Sequence, residues 1–166
     1  MLKYLYYKEV FTEVPGEMTL GISISGCKIH CKGCHSTDLW ENQGTELTIE
    51  EVKRLISEHP GITCVLLFGG EHDIDTLQDI FKHIHGRVKT AWYCGLDTLT
   101  PKQMQTLQYL DFIKIGHYDM QLGGLDSPKT NQRLWQRHNY SGDPTKSENW
   151  TNITAHFWEH VPFMRG

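Results

Sequence analysis

No apolar run in this chain approaches the length of a membrane span. Its first ten residues, Met-Leu-Lys-Tyr-Leu-Tyr-Tyr-Lys-Glu-Val, also lack the continuous apolar segment and small-residue cleavage site of a secretory signal. These absences predict a cytoplasmic protein with no membrane partner. An excess of positive charge is missing as well: 16 Lys and Arg stand against 20 Asp and Glu, for a formal net charge of -4. A nucleic-acid partner is therefore not expected. The three Asn-x-Ser/Thr matches, at Asn139, Asn149 and Asn152, have no export signal to make them glycosylation sites and are read as chance. There is no internal repeat and no shift in composition that would mark a second domain. A chain of 166 residues, 39% apolar and 22% charged, fits one globular unit able to bury a core. The expected organisation is a single domain over 1–166, with an N-terminal arm over about 1–16 and an irregular tail over about 137–166.

Cysteine is present in odd number, five in all, so a complete set of paired disulfides is excluded. Cys64 and Cys94 each sit within an apolar run and read as small buried hydrophobes. The other three, Cys27, Cys31 and Cys34, fall within eight residues in the spacing C-x3-C-x2-C. They follow Thr19 to Ser25, where Leu20, Ile22 and Ile24 alternate with small or polar residues as in a strand. Three thiolates on one loop can hold one soft metal centre and leave a fourth ligand position unfilled.

The rest of the chain has a regular rhythm. An N-terminal strand or hairpin arm over residues 4–14 ends at the turn Val14-Pro15-Gly16. After the cysteine loop a polar segment with Gly44 is expected to wrap around a bound group. Thr48 and Glu51 predict a capping box, and Leu47 and Val52 a hydrophobic staple, at the start of a helix ended by His59-Pro60-Gly61. Ile62 to Phe68 is a nearly unbroken apolar run, as in a parallel strand covered on both faces, and Gly69-Gly70-Glu71 follows it at once. Asp73 caps a second helix that Gly86 stops. Val88 to Cys94 is a third strand, Thr100-Pro101-Lys102-Gln103 opens a third helix, and Asp111 to Gly116 is a fourth strand. Beyond His117 the pattern weakens, with a short strand over Asn131 to Gln136 and a last strand or docking tail over Trp150 to Trp158.

This alternation predicts an α/β fold with a mostly parallel sheet, and sites in such sheets lie at the carboxyl ends of the strands. The cysteine loop, Gly69-Gly70-Glu71 and the loop after Cys94 should therefore converge. Zinc is one reading of the three cysteines, with His30, His35 or a distant residue as fourth ligand. Zinc sites usually bring two separated ligand pairs, and no second pair occurs here. A three-sulfur set suits three corners of an iron-sulfur cubane with one iron open, which is favoured. A plain electron carrier fits less well, because ferredoxin clusters use four cysteines. The glycine pair allows close backbone approach to a ligand, and Glu71 adds a carboxylate suited to an ammonium group. Lys114, Trp92 and Tyr93 lie at strand ends and are candidates to line a pocket, with core packing an equal alternative for the two aromatics. His30, His72 and His117 are read as solvated loop residues.

C-x3-C-x2-C followed one βα unit later by Gly-Gly-Glu resembles the radical S-adenosylmethionine superfamily. Cys31-Lys32-Gly33-Cys34, Pro15-Gly16 and Thr130-Asn131-Gln132-Arg133 make it similar to the activating proteins of anaerobic ribonucleoside-triphosphate reductase, over roughly residues 4–158. The resemblance implies a partial, open (β/α) barrel. It also implies a 4Fe-4S cluster on Cys27, Cys31 and Cys34, whose open iron takes the amino and carboxylate groups of S-adenosylmethionine. Gly69, Gly70 and Glu71 would meet the methionine amino group, and the main chain of Gly33, Cys34 and His35 would lie along the adenosine. His35 departs from the Tyr that often follows the third cysteine in related activases. The implied partners are the glycyl-radical subunit of the reductase and a flavodoxin-type electron donor. No residue beyond the cluster and cofactor is needed for catalysis. Another glycyl-radical activase, or a small-molecule radical enzyme, would share the same motifs.

Overall fold

The structure, a computed structural model, describes residues 1–31, 33, 34 and 36–158. Eight strands form one open sheet. In chain order they are β1 (Lys3–Val10), β2 (Thr19–Ile24), β3 (Thr45–Glu46), β4 (Cys64–Phe68), β5 (Lys89–Tyr93), β6 (Phe112–Ile115), β7 (Arg133–Arg137) and β8 (Trp150–Asn152). Their order across the sheet is β3-β1-β2-β4-β5-β6-β7-β8. The pairings β2–β4, β4–β5 and β5–β6 are parallel. The four others, at the two flanks, are antiparallel. Parallel pairing is thus confined to the four central strands rather than prevailing across the sheet. The expected arm is an integral strand, since β1 pairs along β2 from Tyr4 to Val10. Part of the expected tail is also ordered, as β8 and a short 3-10 helix over Thr154–Phe157.

Three helical segments join the parallel strands: α1 (Ile49–Glu58), α2 (Ile74–Ile84), and α3 (Pro101–Met104), which continues as a 3-10 turn over Gln105–Tyr109. Local chemistry sets their starts. The Asp73 side chain accepts from the Thr76 N–H, and Thr100 and Gln103 complete a reciprocal capping box. At α1 only half of the expected box forms. Thr48 Oγ1 accepts from Glu51 N at 3.0 Å, but the Glu51 carboxylate turns away to Arg54 Nε at 2.6 Å and to the Tyr4 hydroxyl at 2.6 Å. A charge-assisted bond to guanidinium outcompetes one backbone amide. Leu47 and Val52 are both buried in the core, as the staple requires.

The alternation along the strands divides the core into two layers. Leu20, Ile22, Val65, Leu67, Trp92 and Ile113 face the helices, where Val52, Leu55, Leu77 and Phe81 meet them. Cys64, Leu66, Ala91, Phe112 and Leu134 face the other way and are covered by Val14, Leu125, Ile153 and Phe157. All six residues of β2 are buried, polar ones included. At Gly21 a Cβ would stand 2.9 Å from Cε2 of Phe68, so the missing side chain makes room for that ring.

Candidate metal centre

Strand β2 delivers the cysteine loop at its carboxyl end, and the following segment is folded back to hold it. Ser25 N donates to the Lys3 carbonyl at 2.9 Å, and Ser25 Oγ exchanges hydrogen bonds with the backbone of Gln43 at 2.5 and 3.0 Å. Gly26 N reaches the Glu41 carbonyl and Cys27 N the Leu39 carbonyl. The polar stretch after Cys34 therefore grips the loop's own backbone. Gly44 closes this return with φ +111°, where a Cβ would stand 2.2 Å from the Tyr4 carbonyl oxygen. His30 is the one non-glycine residue with positive φ among the described residues, and its ring stacks on Trp40 at 4.3 Å. It is a stacked side chain rather than a merely solvated one.

Cys27, Cys31 and Cys34 are half-buried and line one cavity of about 160 Å³. Gly69, Glu71 and Gly95 share its wall, so the loops after β2, β4 and β5 do converge. Direct contacts tie them together. Gly95 N donates to Glu71 Oε1 at 2.8 Å, and a Cβ on Gly95 would stand 2.6 Å from Cδ1 of Ile29. The loop after β6 joins from above: the Tyr118 backbone hydrogen-bonds to Cys31, and Met120 lies against Gly33. Gly95, Ile29 and Met120 carried no sequence signal of their own; only the loop after Cys94 could be singled out.

Gly69 and Gly70 both have positive φ, +90° and +92°. A Cβ on Gly70 would come within 2.9 Å of Leu77, so this position excludes side chains on two grounds. The Gly69 carbonyl accepts the Trp92 indole N–H at 2.8 Å. Trp92 thus braces the glycine turn from the helix-facing layer. Tyr93 points the opposite way, lines the cavity, and donates its hydroxyl to the Glu13 carbonyl.

Lys114 is 8% exposed, and its Nζ donates to the Gly116 carbonyl at 3.1 Å. Burial lowers its pKa, opposed by the charges of Cys94, Glu71, Cys31 and Asp97. Burial raises the pKa of Cys31, and neighbouring Cys34 and Cys27 add to the effect against the Tyr118 hydrogen bond. By contrast, burial pushes Cys64 and Cys94 up to about 12, as expected of packing thiols. His117 is paired, Nδ1 to Asp97 Oδ1 at 2.8 Å. His72 is not solvated either: both ring nitrogens are buried beside Gly26 with no hydrogen-bond partner among the described residues. His35 and Lys32 lie outside the described residues.

Fold and site together define an α/β domain that presents three cysteine thiols at the carboxyl ends of the parallel strands of a mixed sheet. Comparison with family models makes the class specific: the chain belongs to the family described as a 4Fe-4S single cluster domain, matched over residues 15–137. No curated protein matches the chain. The residues present fit such a group, since three soft donors face one cavity and backbone donors already reach two of them, Ser36 N to Cys34 Sγ at 3.4 Å and Tyr118 to Cys31. Among the described residues, no three His, Cys, Asp or Glu side chains are gathered around a point where they could hold a single metal ion. No helix among them is long and apolar enough to cross a membrane.

Proposed function

We propose that this iron-sulfur protein is a radical S-adenosylmethionine enzyme of the partial-barrel type, and that it activates anaerobic ribonucleoside-triphosphate reductase. The observation that carries the reading is the meeting of Cys27, Cys31 and Cys34 with Gly69 and Glu71 around one cavity. Cys27, Cys31 and Cys34 would hold the cluster, which when reduced would supply the electron for cleaving a bound S-adenosylmethionine sulfonium and so the means to take a hydrogen from a glycine Cα of the reductase.

The chain's own residues bind and orient. Gly95 N–H holds Glu71 Oε1, which leaves Oε2 on the side of Gly69 to accept from an ammonium group. The positive φ of Gly69 and Gly70 opens the backbone to the same group, while Gly33 and Cys34 offer main chain to the adenosine, with His35 assigned beside them from the sequence. Phe68 and Tyr93 give the cavity an apolar wall that excludes water.

The loop over 118–131 and the C-terminal turn are the proposed contact for the reductase, with a flavodoxin-type protein as cytoplasmic electron donor. Leu125 and Phe157 both pack against the same layer of the sheet, and Trp158 Nε1 donates to the Leu125 carbonyl at 2.9 Å, which ties the two segments together. Deleting 122–127 should abolish reductase binding; unchanged binding and cofactor cleavage would remove this part of the reading.

The main test is anaerobic. Protein reconstituted with iron and sulfide, then reduced, should convert S-adenosylmethionine to 5′-deoxyadenosine and methionine and place a glycyl radical on the reductase. Cleavage without radical on that partner would redirect the assignment to another activase or a small-molecule enzyme. Zinc without sulfide in protein purified anaerobically would end it.

A further inference from the structure

Lys114 is a buried cation beside the site. It stands on β6, the fourth parallel strand, paired with Tyr93 of the cavity wall, is 8% exposed, and among the described residues its Nζ donates to the Gly116 carbonyl. No carboxylate forms an ion pair with it among the described residues. Glu71 is held through Oε1 by Gly95 N–H and Asp97 accepts from His117, and neither carboxylate comes within ion-pair distance of Lys114. Yet the groups whose charges act on Lys114 all lie at this end of the sheet: Cys94, Glu71, Cys31 and Asp97. Taking an ammonium out of water costs several kcal/mol unless negative charge compensates it. A chain that keeps Lys here, where Met would fill the same space, has an anionic occupant to answer.

Loading of the cluster supplies that occupant, because the ligand cysteines must then be thiolates. We propose that Lys114 is the resident counter-cation of the iron-sulfur cluster and raises its reduction potential. The inference rests on the cluster that family membership defines and is independent of S-adenosylmethionine chemistry. Reduction adds one electron to an already anionic group inside a low-dielectric pocket, where a fixed positive charge favours the reduced state more than it would in water. Of the three cysteines, Cys31 is the one that the Tyr118 backbone reaches, from the loop that follows the strand carrying Lys114.

The test is a redox titration of reconstituted wild type, Lys114→Gln, Lys114→Met and Lys114→Arg, followed by the electron paramagnetic resonance of the reduced cluster. The neutral variants should show at least a tenfold smaller equilibrium constant for reduction, about 59 mV for one electron. Lys114→Arg should stay near the wild-type potential. Either neutral variant suffices if the other loads poorly, as judged by iron and sulfide content. Unchanged potential in a fully loaded neutral variant overturns the proposal. If that variant instead loses only affinity for S-adenosylmethionine, Lys114 is a carboxylate anchor and not a counter-cation. A lower melting temperature of the apoprotein with no change in potential would likewise overturn it, leaving a purely structural lysine. Failure of the radical reading leaves the potential and melting-temperature outcomes readable, since neither requires S-adenosylmethionine to bind or be cleaved.

Discussion

The five cysteines divide between two regions that treat the same side chain in opposite ways. In the core, Cys64 at the start of β4 and Cys94 just after β5 are wholly buried, and burial pushes their thiols up to about 12. On the loop after β2, Cys27, Cys31 and Cys34 remain half-buried around a cavity, with backbone donors already directed at two of them. The difference shows that thiol reactivity here is a property of the element that carries the residue. Cys64 and Cys94 belong to the two packed layers that flank the sheet, whereas the loop cysteines face the gap where the strand-end loops meet.

Substitution breaks the contrast most sharply. Cys31→Ala should abolish the cluster, measured as loss of bound iron and sulfide, while Cys64→Ala should keep both and lose only packing, about 1 kcal/mol. Retained cluster in Cys31→Ala would contradict the ligand assignment.

Alkylation of the apoprotein is the next largest effect. With a pKa of about 12, Cys64 and Cys94 carry about one part in ten thousand of thiolate at pH 8, so iodoacetamide should leave both untouched while modifying the loop cysteines. Peptide mapping by mass spectrometry reads the result. The same shifts act on stability. Both thiols ionise later in the folded state than in the unfolded chain, where the ordinary value is 9.0. Their contribution is complete below about pH 9 and is lost as pH rises toward 12. Cys64→Ala and Cys94→Ala should each flatten the alkaline limb of a denaturation curve.

Gly70→Ala probes the wall opposite the cysteines. A left-handed backbone at a non-glycine residue and a 2.9 Å approach to Leu77 should together cost about 2–5 kcal/mol in urea denaturation. A change below about 1 kcal/mol would show that the turn relaxes easily. The smallest effect belongs to a site remote from the metal centre. Arg54 and Tyr4 hold the Glu51 carboxyl at about 2, below its ordinary 4.5. Its stabilisation is complete above about pH 4.5 and disappears as pH falls through 2. Glu51→Gln should lower the melting temperature slightly at pH 7 and converge with wild type near pH 2.

Much of the site could be read along the chain because its parts are local. The C-x3-C-x2-C spacing, the alternation of β2, the caps at Thr48, Asp73 and Thr100, and the glycine pair after β4 each lie within a few residues. What escaped was set by surfaces far apart in sequence. Glu51 resembles a capping-box partner until Arg54 and Tyr4 compete for it, and the alternating β2 is buried along its whole length. Strands near β1 and β7 were legible along the chain, but their antiparallel pairing with β2 and β6 was not, because it depends on which edge each strand meets.

The sequence by itself determined that three thiols share one loop, that two glycines and a carboxylate end the next parallel strand, and that two cysteines belong to the core. Spacing and hydrophobic period suffice for this, because they act through bonds and turns a few residues long. Only the tertiary structure decided that Gly95 would anchor Glu71, that Trp92 would brace Gly69, that Met120 would cover Gly33, and that Lys114 would be buried without a carboxylate partner. Those outcomes depend on which loops meet when parallel strands align their carboxyl ends, and no interval of sequence records that distance.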